Sequence, residues 1–486
     1  MSQGTRQTTS HPPPGAVRTA SRARAVTLAV VLTAELMNAL DGSVVYTALP
    51  TIAADTGATT AALQWIHAAY ALTFALGLIT GGRLGDLYGR KRIFLAGTSA
   101  FTLASLLCGL AADPALLIGA RTLQGAASAA MAPQVLATLH VAFDDSSRAR
   151  AFGLYGTVMS LGTVAGPVLG GLITQADLFG LTWRPVFLIN LPIGLAAVLL
   201  GRTFIPESHD RGADRRLDPL GMLLSATGLL AITLPLPLGA EHHWPTTAFA
   251  TMAGGVLVLG VFLLQQKAKT RKDGSALVVL SLFTGRTFST GLGVQLAFGL
   301  LSGAFFLSWT LFMQDGLSLS PDQAAVGFVA ASLGEIGGAW LAMSLVHRHG
   351  RAVPRAGVLL AAATLTGYHQ LITTDPAGMG IWRTAAPMLA VGFGLGMIGA
   401  PLADLTLGKV AHQHAGSASG LFNTATQLGI ALGTAATSVV LFTHTPAGTQ
   451  GPAMNSAFAH SLWYVIAALT TMWALMILLP KQTRTA

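Results

Sequence analysis

Two carboxyl groups that could exchange protons, and one amide, stand inside an apolar stretch near the start of the chain. The segment VVLTAELMNALDGSVVYTALP (residues 30–50) contains Glu35, Asn38 and Asp41. A charged carboxylate at the centre of a membrane helix costs about 2.5 to 3.5 kcal/mol on insertion scales, so such acids are functional candidates by default. Burial favours the neutral carboxyl, whereas a nearby guanidinium favours the charged one. Reversible protonation is therefore the chemistry that this stretch suggests.

A possible partner for these acids lies in the fourth apolar stretch. The segment LLIGARTLQGAASAAMAP contains Arg121 and, three residues later, Gln124. Arg121 and Asp41 each lie about six or seven residues from the predicted outer end of their helices, which at about 1.5 Å per residue places them at a similar depth. Because pairing lowers the cost of burying both charges, we predict an Asp41–Arg121 ion pair. The alternative, in which Arg121 extends outward to water, stays open at this point.

Two further acids lie in apolar stretches of the second half. Glu335 falls near mid-depth, as Glu35 does in the first half, which is the placement expected of a binding site at a repeat interface. We expect both to contribute to proton or substrate binding. Asp404 lies near the inner end of its stretch, where we expect an ion pair with Lys409. The histidines cluster in loops without a second partner cluster, so no metal site is expected.

Composition shows which kind of element must position these residues. Only 10% of the 486 residues are charged, against roughly a quarter in soluble proteins. The charges sit in short clusters separated by apolar runs of about 20 residues, the length at which a helix crosses the hydrocarbon core. The chain is therefore predicted to be an all-α polytopic membrane protein. Its net charge of +9 does not indicate nucleic acid, because the basic residues concentrate in short loops.

The apolar runs predict fourteen transmembrane helices, arranged as two six-helix halves with a central pair between them. The predicted spans are 26–48, 61–81, 93–112, 115–139, 151–174, 185–204, 220–239, 247–266, 287–312, 323–346, 354–373, 385–407, 418–442 and 460–479. The corresponding domains are a disordered cytoplasmic tail (1–25), an N-terminal bundle (26–204), linkers with the two additional helices (205–286), a C-terminal bundle (287–480) and a cytoplasmic tail (481–486).

Lysine and arginine set the predicted orientation. With the N-terminus in the cytoplasm, the inner segments collect nearly all of them, and the outer loops hold only Arg184 and Arg383. Cytoplasmic loops carry this excess in membrane proteins. We therefore predict a multi-pass protein of the cell membrane with both termini in the cytoplasm.

The chain has no recognisable site for nucleotide chemistry. It contains no G-x-x-x-x-G-K-[ST] loop and no polar stretch long enough for a nucleotide-binding domain. We therefore expect no enzyme activity, no cofactor and no ATPase subunit. A proton gradient is the expected source of energy, and the expected partners are protons, a small-molecule substrate and membrane lipid, without nucleic acid.

A short motif between the second and third predicted helices carries a family resemblance. The segment GGRLGDLYGRKR (81–92) resembles the G-x-L-[GA]-D-x-x-G-R-[RK] signature of the major facilitator superfamily. In that family the loop forms a cytoplasmic gate, and the resemblance assigns this role to Gly82, Asp86, Gly89 and Arg90. Arg121, Gln124 and Gly125 similarly match the family's R-x-x-Q-G motif.

The fifth predicted helix indicates the direction of transport. In GTVMSLGTVAGPVLGGL, three glycines recur every four residues, so a neighbouring helix can approach closely. The full string resembles the motif that marks antiporters of this superfamily and is generally missing from its importers. Its residues here are Gly162, Gly166, Pro167, Gly170 and Gly171.

Three further stretches resemble the fourteen-helix drug:proton antiporters of the superfamily. They are LDGSVVYTALP (40–50), WRPVFLINLPIG (183–194) and AGSASGLFNTATQLGIALGTA (415–435). The chain departs from that family's usual residues at Tyr46, Pro185 and Thr426, which puts substrate contacts at those positions in question.

The resemblance implies a proton-driven antiporter that exports an antibiotic or drug-like molecule for self-resistance or secretion. The chain most resembles the actinobacterial exporters of the cephamycin, methylenomycin or puromycin type. Among the antibiotics that these exporters carry, we favour a cephamycin-type β-lactam as the cargo. Two alternatives stay open, namely a proton-coupled nutrient uptake symporter of the same fold and a membrane receptor that transports nothing.

Overall fold

The computed structural model of the chain describes residues 14–208, 216–236, 245–272, 275–319, 321–375, 379–444 and 451–478. These residues form helices and connecting segments without a strand. Fourteen of the described helices have fifteen residues or more. They are α1 (Pro14–Thr56), α2 (Thr60–Tyr88), α3 (Arg90–Gly109), α4 (Pro114–Ala142), α5 (Asp145–Ala176), α6 (Asn190–Phe204), α7 (Pro219–Thr233), α8 (Thr246–Lys272), α9 (Arg286–Leu311), α10 (Pro321–His349), α11 (Ala352–Thr374), α12 (Ile381–Leu407), α13 (Ala415–His444) and α14 (Pro452–Ile477).

The helices agree with the predicted all-α membrane architecture. Ten of the described helices are long and apolar enough to cross a bilayer, and α7 is a shorter apolar helix. A four-residue helical turn, Pro185–Leu188, precedes α6. The end of the predicted seventh span, 237–239, lies outside the described residues.

The first helix is longer than the hydropathy pattern predicts. It begins at Pro14 and ends at Thr56, whereas the predicted span is 26–48. Residues 14–25, assigned from the sequence to a disordered tail, are therefore helical; residues 1–13 lie outside the described part, as do residues 481–486. Alanine and arginine are good helix formers, and a proline is tolerated in the first turn, so this polar segment can extend the apolar helix.

The two halves repeat one packing pattern. In the N-terminal half α2 packs against α4, α1 against α5 and α6, and α3 against α4 and α6. The same pairings recur in the C-terminal half, where α10 packs against α12, α9 against α13 and α14, and α11 against α12 and α14. The central helices α7 and α8 pack on each other, and α7 also contacts α2 and α13. The arrangement is therefore six, two and six helices.

Contacts between the halves follow the same symmetry. Helix α2 packs against α13 and helix α5 against α10, which are equivalent pairs in the two repeats. Two weaker pairs, α4 with α13 and α5 with α12, are also equivalent. A site at the boundary of the halves is consequently bounded by matching helices from each repeat.

Glycines let α5 approach α1 closely. A Cβ atom at Gly162 would collide with Ala39, one at Gly166 with Ser43 Oγ, and one at Gly170 with Val44 and Thr47. Close backbone approach of this kind is how membrane helices gain packing contacts. A Cβ atom at Gly171 would meet nothing within 4 Å, so this glycine does not belong to the packed face.

Two opposite ends of the molecule are distinguished by their contacts. We call the end formed by residues 81–92, 140–148 and 404–417 the basic face. There the end of α2 contacts the start of α13, the end of α4 contacts the segment after α12, and the start of α5 contacts the end of α12. At the other end Asp55, in the last turn of α1, accepts hydrogen bonds from Trp183 Nε1 and Arg184 Nη1 at 3.0 and 2.8 Å.

Candidate functional site

The predicted ion pair between α1 and α4 is present in the structure. Arg121 Nη1 donates to Asp41 Oδ2 at 2.5 Å, and both side chains are fully buried. The alternative in which Arg121 extends to water does not fit this geometry. Asp41 lies fifteen residues before the end of α1 and Arg121 seven residues after the start of α4, so the two helices are offset along their axes. Because their side chains are in contact, Asp41 and Arg121 nevertheless lie at a similar depth.

Neutral polar groups complete the coordination of the Asp41 carboxylate. Gln124 Nε2 and Asn190 Nδ2 donate to Asp41 Oδ1 at 2.8 and 3.0 Å. Both amides also donate to Ser105 Oγ on α3. The carboxylate therefore receives three donors from α4 and α6, an arrangement that stabilises its charged form.

Arg121 is held from the other side by α2. Its Nε donates to the Ile66 carbonyl at 3.3 Å, and its guanidinium lies 4.2 Å from the centre of the Tyr70 ring. A cation over a desolvated aromatic face is stabilised by about 2 kcal/mol. The second terminal nitrogen, Nη2, is buried without a hydrogen-bond partner among the described residues. The two N–H groups of this nitrogen are thus unused.

A chain of polar side chains connects this ion pair with Glu35. The Tyr70 hydroxyl donates to Asn38 Oδ1 at 2.6 Å, and Ser128 Oγ also hydrogen-bonds to that oxygen. Asn38 Nδ2 in turn donates to Glu35 Oε1 at 3.4 Å. The other oxygen of Glu35 is buried without a partner among the described residues. Glu35, Asn38 and Asp41 therefore belong to one polar network inside the N-terminal half.

Glu335 lies in a different environment. It projects from α10 toward Ser160 on α5, and these two helices pack against each other at the boundary between the halves. The structure thus assigns Glu35 to the interior of the N-terminal half and Glu335 to the boundary between the halves. Both acids lie on transmembrane helices, as the sequence predicts.

Residues 81–92, at the end of α2 and the start of α3, join the two halves at the basic face. Asp86 accepts hydrogen bonds from the backbone N–H groups of Gly416 and Ser417 at 2.8 and 2.7 Å. These groups belong to the first turn of α13, where the helix dipole attracts a negative charge. Arg90 Nη2 donates to Asp86 at 2.7 Å and to the His412 carbonyl at 2.6 Å.

Two glycines make this contact possible. A Cβ atom at Gly82 would collide with the Gly416 carbonyl, so a side chain there would separate α2 from α13. Gly89 has φ of 106°, a conformation that residues with a Cβ rarely adopt. It allows α3 to begin directly after α2.

The expected pair between Asp404 and Lys409 is wrong. Asp404 instead accepts from Arg148 Nε of α5 at 2.8 Å, with the two side chains only 9% and 10% exposed. Lys409 is exposed. Nearness along α12 favoured lysine in the sequence, but the start of α5 packs against the end of α12 and supplies a closer base.

Four partners of the site were missed by sequence reasoning: Ser105, Asn190, Tyr70 and Ser128. Asn190 falls within the quoted WRPVFLINLPIG segment, and its amide in an apolar run was an available signal. Serine and tyrosine are common in membrane helices as packing residues, so the other three carried no distinguishing signal.

Comparisons of the chain with known proteins agree on one family. The chain is 37% identical over 436 residues to the "Probable actinorhodin transporter" of Streptomyces coelicolor, covering 90% of this chain and 74% of that protein. It is also 37% identical over 447 residues to "Cephamycin export protein CmcT" of Amycolatopsis lactamdurans, covering 89% and 87% of the two chains.

Solved structures share the fold. The structure of a proton:xylose symporter, XylE, superposes with a TM-score of 0.64, covering 93% of this chain and 96% of that one, at 13% sequence identity. Residues 31–434 match the family model of the Major Facilitator Superfamily, and the chain belongs to that family of membrane transporters.

Proposed function

We propose that this chain is a proton-driven antiporter that exports an antibiotic or drug-like small molecule across the cytoplasmic membrane, for self-resistance or secretion. The observation that carries the proposal is the fully buried Asp41–Arg121 pair between α1 and α4. A transporter that only passed a neutral solute would gain nothing from this pair, whose burial is costly. The two relatives named as transporters of antibiotics support the cargo class.

The pair suggests how a proton is taken up and released. While Arg121 and the two amides donate to it, Asp41 is stabilised as a carboxylate. A movement of α1 against α4 that removes these donors leaves an acid in an apolar environment, where the neutral form is favoured. We propose that Asp41 takes up a proton from outside in one state and releases it inside in the other.

The available driving force suffices for export. One inward charge is worth about 2.3 kcal/mol per 100 mV, and one pH unit adds about 1.4 kcal/mol. The sum, about 3.7 kcal/mol, supports nearly three tenfold steps of cargo gradient at about 1.4 kcal/mol each.

We propose that the basic face is cytoplasmic, as the distribution of lysine and arginine predicts. On this assignment the conformation described is closed toward the cytoplasm, because Asp86 with α13 and Arg148 with Asp404 join the halves there. Export then requires these contacts to open so that cargo enters from inside.

The charged groups that lack partners limit which kind of cargo the site can bind. Arg121 Nη1 is occupied by Asp41 and Gln124. Arg121 Nη2 and one oxygen of Glu35 have no partner among the described residues. A cationic or neutral cargo can compete with a proton at such an acid, and this competition is the simplest basis of antiport. An anionic β-lactam of the cephamycin type would instead be bound by Arg121, through its unpartnered Nη2 or by displacing Asp41 from Nη1, so it stays one cargo to be tested.

The experiment is transport into everted membrane vesicles that contain the chain. Acidifying the vesicle lumen should drive accumulation of puromycin or a lipophilic cationic dye, and a protonophore should abolish it. Cephamycin is the anionic probe of the same assay. Uptake stimulated by external acid would instead indicate a symporter, and absence of transport for every probe would favour the receptor alternative.

A further inference from the structure

A cavity of about 340 Å³ opens at the basic face, away from the Asp41–Arg121 network. Its walls are the short segment before α9, the first turn of α9, and the junction between α12 and α13. The volume lies within the range of small-molecule sites, roughly 300 to 1,000 Å³. None of the residues that line it takes part in the contacts that hold Asp41, Glu35 or Glu335.

The cavity presents the start of a long helix. Helix α9 has 26 residues, and Gly285 stands at its N-cap position without a side-chain cap. The first N–H groups of a helix have no partner within the helix, and together with the dipole they favour an anion. Gly285 and Thr287 line the cavity, so these N–H groups border it.

Two buried polar atoms at the cavity lack partners among the described residues. Thr406 is fully buried, and its Oγ1 has no hydrogen-bond partner; the same holds for Nδ1 of His414. Gln413 Nε2 lies 3.1 Å from His414 Nε2. Because an amide nitrogen can only donate, His414 Nε2 accepts and the free Nδ1 carries the proton. Both unpartnered atoms can therefore donate to a ligand.

The charge of the cavity is positive. Lys409 supplies an ammonium group, and none of the eleven lining residues is acidic. Asp404, which precedes the lining residue Thr406 by two positions on α12, is already paired with Arg148. The last turn of α8 carries Lys269, Arg271 and Lys272, and α8 contacts the segment before α9. Buried polar groups are normally satisfied, so the two buried atoms without partners, Thr406 Oγ1 and His414 Nδ1, together with this positive charge favour an acceptor with several oxygens.

We propose that this cavity binds a phosphoryl group, held by the start of α9, Thr406, His414 and Lys409. Basic pockets between transmembrane helices are suited to the headgroups of anionic lipids, and soluble phosphate offers the same oxygens. The shared chemistry is a tetrahedral oxyanion with one or two negative charges. The site is separate from cargo transport.

The test measures both sources on the purified chain. Radiolabelled inorganic phosphate gives the affinity for the free anion. Retention of phosphatidylglycerol against phosphatidylcholine, counted by native mass spectrometry, gives the preference for an anionic lipid. Lys409→Gln should weaken binding about tenfold, as expected for loss of one hydrogen bond to a charged group. The matched control is Lys267→Gln, which removes an exposed lysine of α8 outside the lining and should bind as the original chain does.

Thr406→Val is a second variant, in which weaker binding cannot be attributed to a loss of folding. Valine keeps the shape of threonine and removes a hydroxyl that has no partner, so the thermal stability of the unliganded chain should not fall. Binding should nevertheless weaken. Weakening of both probes by Lys409→Gln and Thr406→Val supports a common phosphoryl site; weakening of one probe alone assigns the source to lipid or to soluble phosphate. Unchanged binding of both probes in both variants, or equal loss in Lys267→Gln, would overturn the proposal.

Discussion

At the scale of single residues, the buried carboxylate of Asp41 is stabilised mainly by its partners. It accepts from Arg121, Gln124 and Asn190, and the two amides are themselves fixed through Ser105. Such a network loses much of its stabilisation when its members lose their partners. A small displacement of α1 would leave several polar groups without partners at once, so the site is suited to switching between two states.

Removing one member of the ion pair should destabilise the protein more than removing both charges. Arg121→Gln leaves the Asp41 carboxylate buried without its cation, which costs about 3 to 5 kcal/mol. Adding Asp41→Asn to that variant should recover part of the loss. Reversible unfolding of the single and double variants measures the coupling.

A rim pair provides the control for this cycle. Arg184 and Asp55 are 25% and 34% exposed, so Arg184→Gln should cost about 1 kcal/mol or less. A double variant less stable than Arg121→Gln alone would show that the two charges do not stabilise each other in the folded protein.

The sequence identified the charged members of the site but not its neutral ones. Asp41 and Arg121 were recognisable because a charge in an apolar run is costly, and their similar depth predicted the pair. Asn190 lies 149 residues from Asp41 along the chain, and no periodicity relates α6 to α1. Tyr70 and Ser105 were not identified because neutral polar side chains in a membrane helix more often serve packing.

At the scale of helices, the contact between α1 and α5 depends on glycines at defined positions. Gly166→Ala should weaken it, because the new Cβ would meet Ser43 Oγ and Val44 N. Overpacking of this kind costs typically about 1 to 3 kcal/mol. Thermal unfolding of the purified variant and its transport rate should both decrease.

Gly171→Ala is the matched control on the same helix, because a Cβ atom there meets nothing within 4 Å. It should leave unfolding and transport unchanged or raise the stability slightly, since alanine is the better helix former. Equal losses in the two variants would show that the effect comes from glycine content and not from the α1 contact.

Hydropathy located the helices better than it located their ends. The predicted first span ends at residue 48, but α1 continues to Thr56 through Pro50. Polar residues such as Thr51 and Asp55 extend a helix beyond the apolar run without adding to its hydropathy. The ends of helices therefore follow from local capping and packing, which a sliding average does not detect.

At the scale of the whole molecule, two ion-pair clusters join the halves at the basic face. Asp86 and Arg90 link α2 to the start of α13, and Arg148 and Asp404 link α5 to α12. The helices involved, α2 with α13 and α5 with α12, connect the two repeats. Opening of this face requires both clusters to separate.

Weakening the second cluster should open the basic face. Asp404→Asn removes the carboxylate that accepts from the nearly buried Arg148, so conformations in which the halves separate become relatively more stable. Spin labels at R150C and R348C, exposed positions on α5 and α10, should report a longer mean distance or a larger long-distance population.

Asp144→Asn is the control for this experiment. Asp144 pairs with Arg24 at the same face, but the side chains are 70% and 54% exposed, so losing this pair should change the label distance little. An Asp404→Asn distribution identical to that of the original chain would show that the ion pair does not hold the face closed.

The six-two-six arrangement was accessible from the sequence, whereas the contacts between the halves were not. Hydropathy and the charged linkers predict two six-helix halves with a central pair, because both arise from the membrane itself, and the described helices pack in that pattern. The Arg148–Asp404 pair joins residues 256 apart, and nearness in sequence pointed to Lys409 instead. Such contacts depend on how the repeats meet, for which one sequence provides no direct signal.

Proton exchange by Asp41 is tested most directly by the variant Asp41→Asn in proteoliposomes that report internal pH. Asparagine preserves the size of the side chain and can still hydrogen-bond with Gln124 and Asn190. We predict that the original chain moves protons when cargo is added on the opposite side, and that Asp41→Asn moves none while still inserting and folding. Asp55→Asn, at the exposed rim, should move protons as the original chain does. Full cargo-dependent proton movement in Asp41→Asn would contradict the account.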